Sequence, residues 1–217
     1  MMLLILLPVL LFSVVVHEYA HGWMALRQGD STALAAGRLT LNPIAHLDLF
    51  GSILFPLVLW ASNAGFLFGW AKPVPVNPAN YRNYVRGDVL VSIAGIAANL
   101  ILAAISVLVF VLAVHAGRIV PGAAGIMDVV QQAAGYGILI NLVLAVFNLI
   151  PIPPLDGSHV VYHLLPPRLG ARYREVGRFG MLVLLALLIF APGVFRYLLW
   201  PVDVLQGLAL SLIRAWT

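Results

Sequence analysis

Two histidines four residues apart with a glutamate between them, His17-Glu18-Tyr19-Ala20-His21, are the residues of this chain best suited to do chemistry. On a helix, positions four apart lie on one face, so both imidazoles can reach one metal ion. Zinc takes histidine nitrogen readily, and the glutamate of such a pattern can serve as general base in hydrolysis. Five residues recur by chance, so the setting carries the weight. The pattern sits inside an apolar run from residue 1 to about 26, long enough to cross a bilayer. Ionisable groups are costly there unless they have partners, and three within five residues point to a function.

A catalytic zinc site takes three protein ligands and leaves a further position open. The chain has no cysteine, so every ligand must be nitrogen or oxygen. Asp156 is the strongest third ligand. It follows Pro151-Ile152-Pro153-Pro154-Leu155, where the prolines break a helix, and it precedes Gly157, which permits close backbone approach. A broken helix can aim a carboxylate sideways. Depth agrees: at ~1.5 Å per residue, His17 and His21 lie roughly 21–27 Å into the membrane and Asp156 about 27 Å. His159 and His163, also four apart, are rival or additional ligands by spacing, but the cytoplasmic end of their helix is the plainer reading. His46 and His115 flank apolar runs and suit the interface. Glu175 and Asp203 could substitute as ligands only if their segments pack against the first helix.

The elements that must hold these groups are read from composition. Hydrophobic residues make up 62 % of the 217 residues and charged ones 9 %, against about 25 % charged in soluble domains. The chain therefore reads as an all-α polytopic membrane protein, one domain over 1–217, with a core at 1–165 and C-terminal helices at 178–217. The net charge of +4 is spread over loops and gives no basis for nucleic-acid binding. About five to six membrane segments are expected: 1–26, 46–70, 89–114, 136–150, 181–191 and 194–213. The last is interrupted by Pro201 and Asp203 and lies partly at the interface. Residues 37–43 alternate polar and apolar and read as a short β-like stretch. The three prolines in 70–78 enforce extended backbone. Residues 115–132 and the arginine-rich 165–178 read as loops. Basic loops belong inside, which puts 72–86 and 165–178 on the cytoplasmic side. That parity makes 46–70 a re-entrant or hairpin segment rather than one kinked crossing.

His17-Glu18-Tyr19-Ala20-His21 in one apolar run, followed in a later one by Asn148-Leu149-Ile150-Pro151-Ile152-Pro153-Pro154-Leu155-Asp156-Gly157, resembles the site-2 protease family of intramembrane zinc metalloproteases. Ser92-Ile93-Ala94-Gly95-Ile96-Ala97-Ala98-Asn99 is similar to a third landmark of that family, with Ile96 where a proline is usual. The resemblance covers residues 10–160 and is to a compact form without PDZ or CBS domain. It implies that His17, His21 and Asp156 hold one zinc ion per chain. It implies that Glu18 takes a proton from the attacking water, and that Asn148 binds substrate or supports the oxyanion. A neutral amide suits that last task, because it donates without carrying charge into the membrane.

The expected activity is that of a metalloendopeptidase cutting within or near transmembrane segments of membrane proteins. Its expected place is the plasma membrane, with the active site toward the cytoplasm. Its partners are then a transmembrane substrate and lipid. The substrate must unwind before attack, and 37–43 or 72–78 could offer it a strand edge. The alternatives are a transporter, or an inactive scaffold, using the same His/Glu/Asp cluster. A transporter is expected to carry repeats and a polar path; the sequence shows no repeat, and its polar residues gather at one depth.

Overall fold

Glycine and proline set the element boundaries along this chain. In the computed structural model, residues 2–54, 57, 58, 61 and 71–217 are described. Helix α1 runs Met2–Gln28 and ends at Gly29, whose φ of 112° is the left-handed conformation that closes helices. A single short turn, α2 (Thr32–Ala35), follows. Helix α3, Tyr84–Ile119, opens with Asn83 accepting from the Arg86 N–H. Helix α4, Ala124–Leu149, comes after a turn at Pro121 and Gly122. Then come α5 (Gly157–Leu164), α6 (Pro167–Gly177), α7 (Gly180–Phe190), α8 (Pro192–Leu198) and α9 (Trp200–Trp216).

Among the described residues, three helices are long and apolar enough to cross a membrane: α1, α3 and α4. The α7–α8 pair adds a fourth only if its 110° bend is one broken span. The expected count of five to six is therefore not met among the described residues. Pro192 cuts the fifth run to an 11-residue helix, roughly 17 Å at the α-helical rise. The sixth run gives a 17-residue amphipathic helix carrying Asp203 and Arg214. Whether 46–70 crosses or re-enters falls largely outside the described residues.

Two expected loops are helical. Residues 115–132 extend α3 and begin α4, since Pro121-Gly122 is the one strong breaker there. Residues 167–177 form α6, because Pro167 is preset for a first helical turn and no proline interrupts the next ten residues. The expected β-like stretch at 37–43 forms no strand among the described residues: it starts at a turn on Gly37, bends at Thr40 and runs into a 3-10 turn at Pro43. A strand needs a ladder. The neighbouring extended stretch, 71–77, is reached through the Arg38 side chain, which donates to the carbonyls of Lys72 and Pro73. The proline-rich 71–77 is non-helical, as its composition requires.

Helices α1, α3 and α4 pack around small residues. An added Cβ on Gly137 would lie 2.5 Å from Ser106 Oγ, so the two backbones come close there. One apolar cluster joins Ala103, Ile138, Leu142 and Val146 to Val202, Ala209 and Ile213 of α9. Large apolar side chains cover the outside instead, among them Leu4, Leu108 and Leu112. Lipid, not water, is the medium that suits such a surface.

Candidate metal centre

Helix α1 places His17 and His21 one turn apart, with ring centroids 4.6 Å apart and planes at 87°. Both rings lie against Gly95 of α3, where a Cβ would sit 2.5 Å from His21 Nε2 and 2.6 Å from His17 Cε1. Only a residue without a side chain leaves room there. The third group comes from the turn between α4 and α5. Gly157 makes that turn tight, since a Cβ on it would stand 2.1 Å from Leu149 O. Asp156 occupies the N-cap position of α5, yet its carboxylate makes no capping bond. Its Oδ2 points instead at His17 Nε2, 3.4 Å away, and His21 Nε2, 3.3 Å away.

The proton positions on both rings follow from their outer partners. Gly137 O can only accept, so the Asn141 group 2.8 Å away is its NH2. Asn141 Nδ2 also donates to Ser13 Oγ, whose hydroxyl donates in turn to Val9 O. Asn141 Oδ1 then faces Asn99, which must present its own Nδ2, at 2.7 Å. Asn99 Oδ1 is left facing His17 Nδ1 at 2.6 Å, so that nitrogen carries the hydrogen. His21 Nδ1 reaches Val91 O at 2.7 Å and must donate as well. Each Nε2 of the neutral rings is consequently a bare lone pair. Asn99 is fully buried and Asn141 and Ser13 nearly so, and an unsatisfied member would cost about 1–3 kcal/mol.

With both rings neutral, three electron-pair donors therefore converge. The two Nε2 atoms are 3.0 Å apart, and Asp156 Oδ2 is buried without a hydrogen-bond partner. In that state the set repels itself unless a cation joins it. Tetrahedral zinc, with bonds of about 2.0–2.1 Å, spaces its ligand atoms about 3.3 Å apart. The observed 3.0, 3.3 and 3.4 Å match that triangle. All ligand atoms of His17, His21 and Asp156 lie within 4.8 Å of one another.

Glu18 sits beside this triangle on α1, and its Oε2 accepts from Val74 N–H at 2.7 Å. Among the described residues no hydrogen bond joins Asn148 to the cluster. Its Nδ2 donates to Leu144 O of its own helix at 2.9 Å, leaving a second N–H without a partner among the described residues. His159 and His163 go elsewhere: they meet buried Asp88 of α3 at 3.1 and 2.7 Å, with Arg174 nearby at 3.9 Å. They tie α5 to α3. Asn141 and Ser13 escape sequence reasoning. A lone polar residue in an apolar helix is the signal that could find them, but it does not say which neighbour they serve.

The sequence model of Peptidase family M50 matches residues 122–191, the part that contains Asp156. Two similar proteins bear the printed name "Putative zinc metalloprotease". YwhC of Bacillus subtilis (strain 168) is 42 % identical over 200 residues, covering 90 % of this chain and 86 % of its own. Rip2 of Mycolicibacterium smegmatis is 30 % identical over 188 residues, covering 86 % of this chain and 67 % of its own. No solved structure matches the chain significantly. The chain belongs to peptidase family M50, the site-2 protease family that its motifs resemble. Zinc is the metal that the family implies, and the donor set fits it.

Proposed function

We propose that this protein is an intramembrane zinc metalloendopeptidase that hydrolyses peptide bonds within or near transmembrane segments of membrane proteins. The observation that carries the reading is the convergence of His17, His21 and Asp156 as three potential metal ligands beside Glu18, on helices apolar enough to lie in lipid. His17 Nε2, His21 Nε2 and Asp156 Oδ2 hold one zinc per chain. When bound, zinc polarises the scissile carbonyl and makes a water more acidic. Glu18 takes the proton of the attacking water and delivers it to the leaving amine. Asn148 turns its free N–H toward the substrate or its oxyanion.

The substrate helix unwinds and lies along 37–43. Leu41 is exposed there, and the N–H groups of Leu39, Thr40 and Leu41 have no partner among the described residues. The centre lies toward the cytoplasmic side of the plasma membrane in this reading, which the basic residues of 72–86 and 168–178 support, since basic loops belong inside. The test uses purified, zinc-loaded protein with single-pass membrane substrates, wild type against Glu18→Gln. The variant should lose about 10²–10⁴-fold in rate, the usual share of a general base. Cleavage that survives the substitution refutes the role of Glu18.

A further inference from the structure

The proline-rich stretch 71–77 is fastened at both ends. Lys72 N–H donates to His46 O at 2.9 Å, and Arg38 holds the Lys72 carbonyl at 2.9 Å and the Pro73 carbonyl at 3.4 Å. At the far end Asn77 N–H donates to Asp30 Oδ2 at 2.7 Å. Between these anchors the side chain of Val74 is buried at 6 % exposure. It presses on α1 where Gly22 leaves room: a Cβ there would be 3.0 Å from Val74 Cγ1. Pro73 and Pro75 have no N–H, so Val74 carries the one backbone donor of the Pro-Val-Pro triplet. That donor is aimed at Glu18 Oε2, 2.7 Å away.

We propose that the Val74 N–H is a positioning group for catalysis: it fixes one oxygen of Glu18 and leaves the other turned to the water. The proposal rests on the peptidase reading for its kinetic consequence, though not for the contact itself. Glutamate has three side-chain torsions, and a general base works only within hydrogen-bond reach of the proton it takes. A bond from a rigid, doubly anchored strap removes that freedom at no cost during the reaction. The flanking prolines keep the strap from offering a competing donor.

The test compares Val74→Pro with Val74→Ala in purified, zinc-loaded protein. Proline removes the N–H but keeps most of the volume packed on Gly22. Alanine keeps the N–H and loses that volume. Proline at 74 also needs an extended residue before it, which Pro73 in the non-helical 71–77 provides. The expected result is a loss of about 10- to 100-fold in kcat for Val74→Pro, with KM and zinc content as in wild type, and a clearly smaller loss for Val74→Ala. The opposite order, or a zinc-loaded Val74→Pro with undiminished kcat, overturns the proposal.

A second measurement needs neither activity nor the proline variant. In protein labelled with ¹⁵N-valine, the Val74 amide is identified by its loss in Val74→Ile. Its proton should resonate downfield and move upfield in Glu18→Ala, because bonds to a charged acceptor are the strong ones. A Val74 resonance that ignores the loss of Glu18 overturns the proposal even if Val74→Pro fails to fold. If wild type cleaves nothing while this resonance responds, the peptidase reading fails and the contact stands.

Discussion

Gly95→Ala is the substitution with the most to lose for its size. The added methyl would lie 2.5 Å from His21 Nε2, 2.6 Å from His17 Cε1 and 2.7 Å from His21 Cε1. Ordinary contact begins near 3.4 Å, so the closest atom must retreat by about 0.9 Å, nearly half of a zinc–nitrogen bond of about 2.0–2.1 Å. Neither ring can yield alone, since His17 Nδ1 is held by Asn99 at 2.6 Å and His21 Nδ1 by Val91 O at 2.7 Å. Altering groups that merely orient metal ligands costs 10–100-fold in affinity, so displacing two ligands should cost at least ~100-fold. That equals about 2.7 kcal/mol. Global stability should respond much less. Overpacking costs about 1–3 kcal/mol, and alanine regains roughly 0.5–1 kcal/mol of helix propensity. Competition with a zinc chelator measures the first effect, and thermal unfolding of metal-free protein the second. Gly135→Ala is the control, because its Cβ would meet nothing within 4 Å. Zinc affinity in Gly95→Ala equal to wild type would refute the placement of both rings against α3.

Asn141→Leu breaks the relay that sets the proton on His17, and should weaken zinc binding by about 10–100-fold without touching a ligand; the chelator competition reads this too. Asp156→Ala should abolish stoichiometric zinc, measured by metal analysis of the purified protein, whereas His159→Ala should leave it intact. Asp30 supplies a pH effect outside the spans. Burial alone would raise its carboxyl, but donors from Asn77, Thr32 and Asn80 outweigh this and hold it below its ordinary value of 3.8. A depressed folded value stabilises above the unfolded one, and the contribution is lost as pH falls through the folded value. Unfolding temperature should therefore drop below about pH 4, and Asp30→Asn should flatten that slope.

The sequence was informative where a residue type has one physical use. Prolines at 151, 153 and 154 broke the helix where expected, and Gly29 ended α1 within three residues of the expected point. It misled where composition stood in for geometry. Arginines at 168–178 suggested a loop, yet they decorate a helix, because charge opposes burial and not helicity. Hydropathy counted spans at 181–213, where Pro192 and a 110° bend decide otherwise. The alternation at 37–43 suggested a β-like stretch, but a strand also requires a partner, which alternation cannot supply, and no strand forms there.

The buried polar residues of α1, α3 and α4 bear on how the centre works. They are Ser13, His17, Asp88, Ser92, Asn99 and Asn141 among the described residues. Ser13, Asn141, Asn99 and His17 form one chain of hydrogen bonds whose far end is bound to backbone carbonyls. Asp88 is held by His159 and His163, and Ser92 turns back on its own helix. A conducting path needs groups that can exchange partners along the membrane normal. These groups are instead committed, and the commitment of Asn99 fixes the tautomer of His17. Such a network favours a site that must hold one geometry through a reaction, and it locates the freedom that catalysis needs outside the three helices. Glu18 is held in the same way by the anchored 71–77 strap, and substrate would bind beside it at 37–43. Loosening Arg38, which joins the two stretches, should therefore impair turnover more than zinc binding.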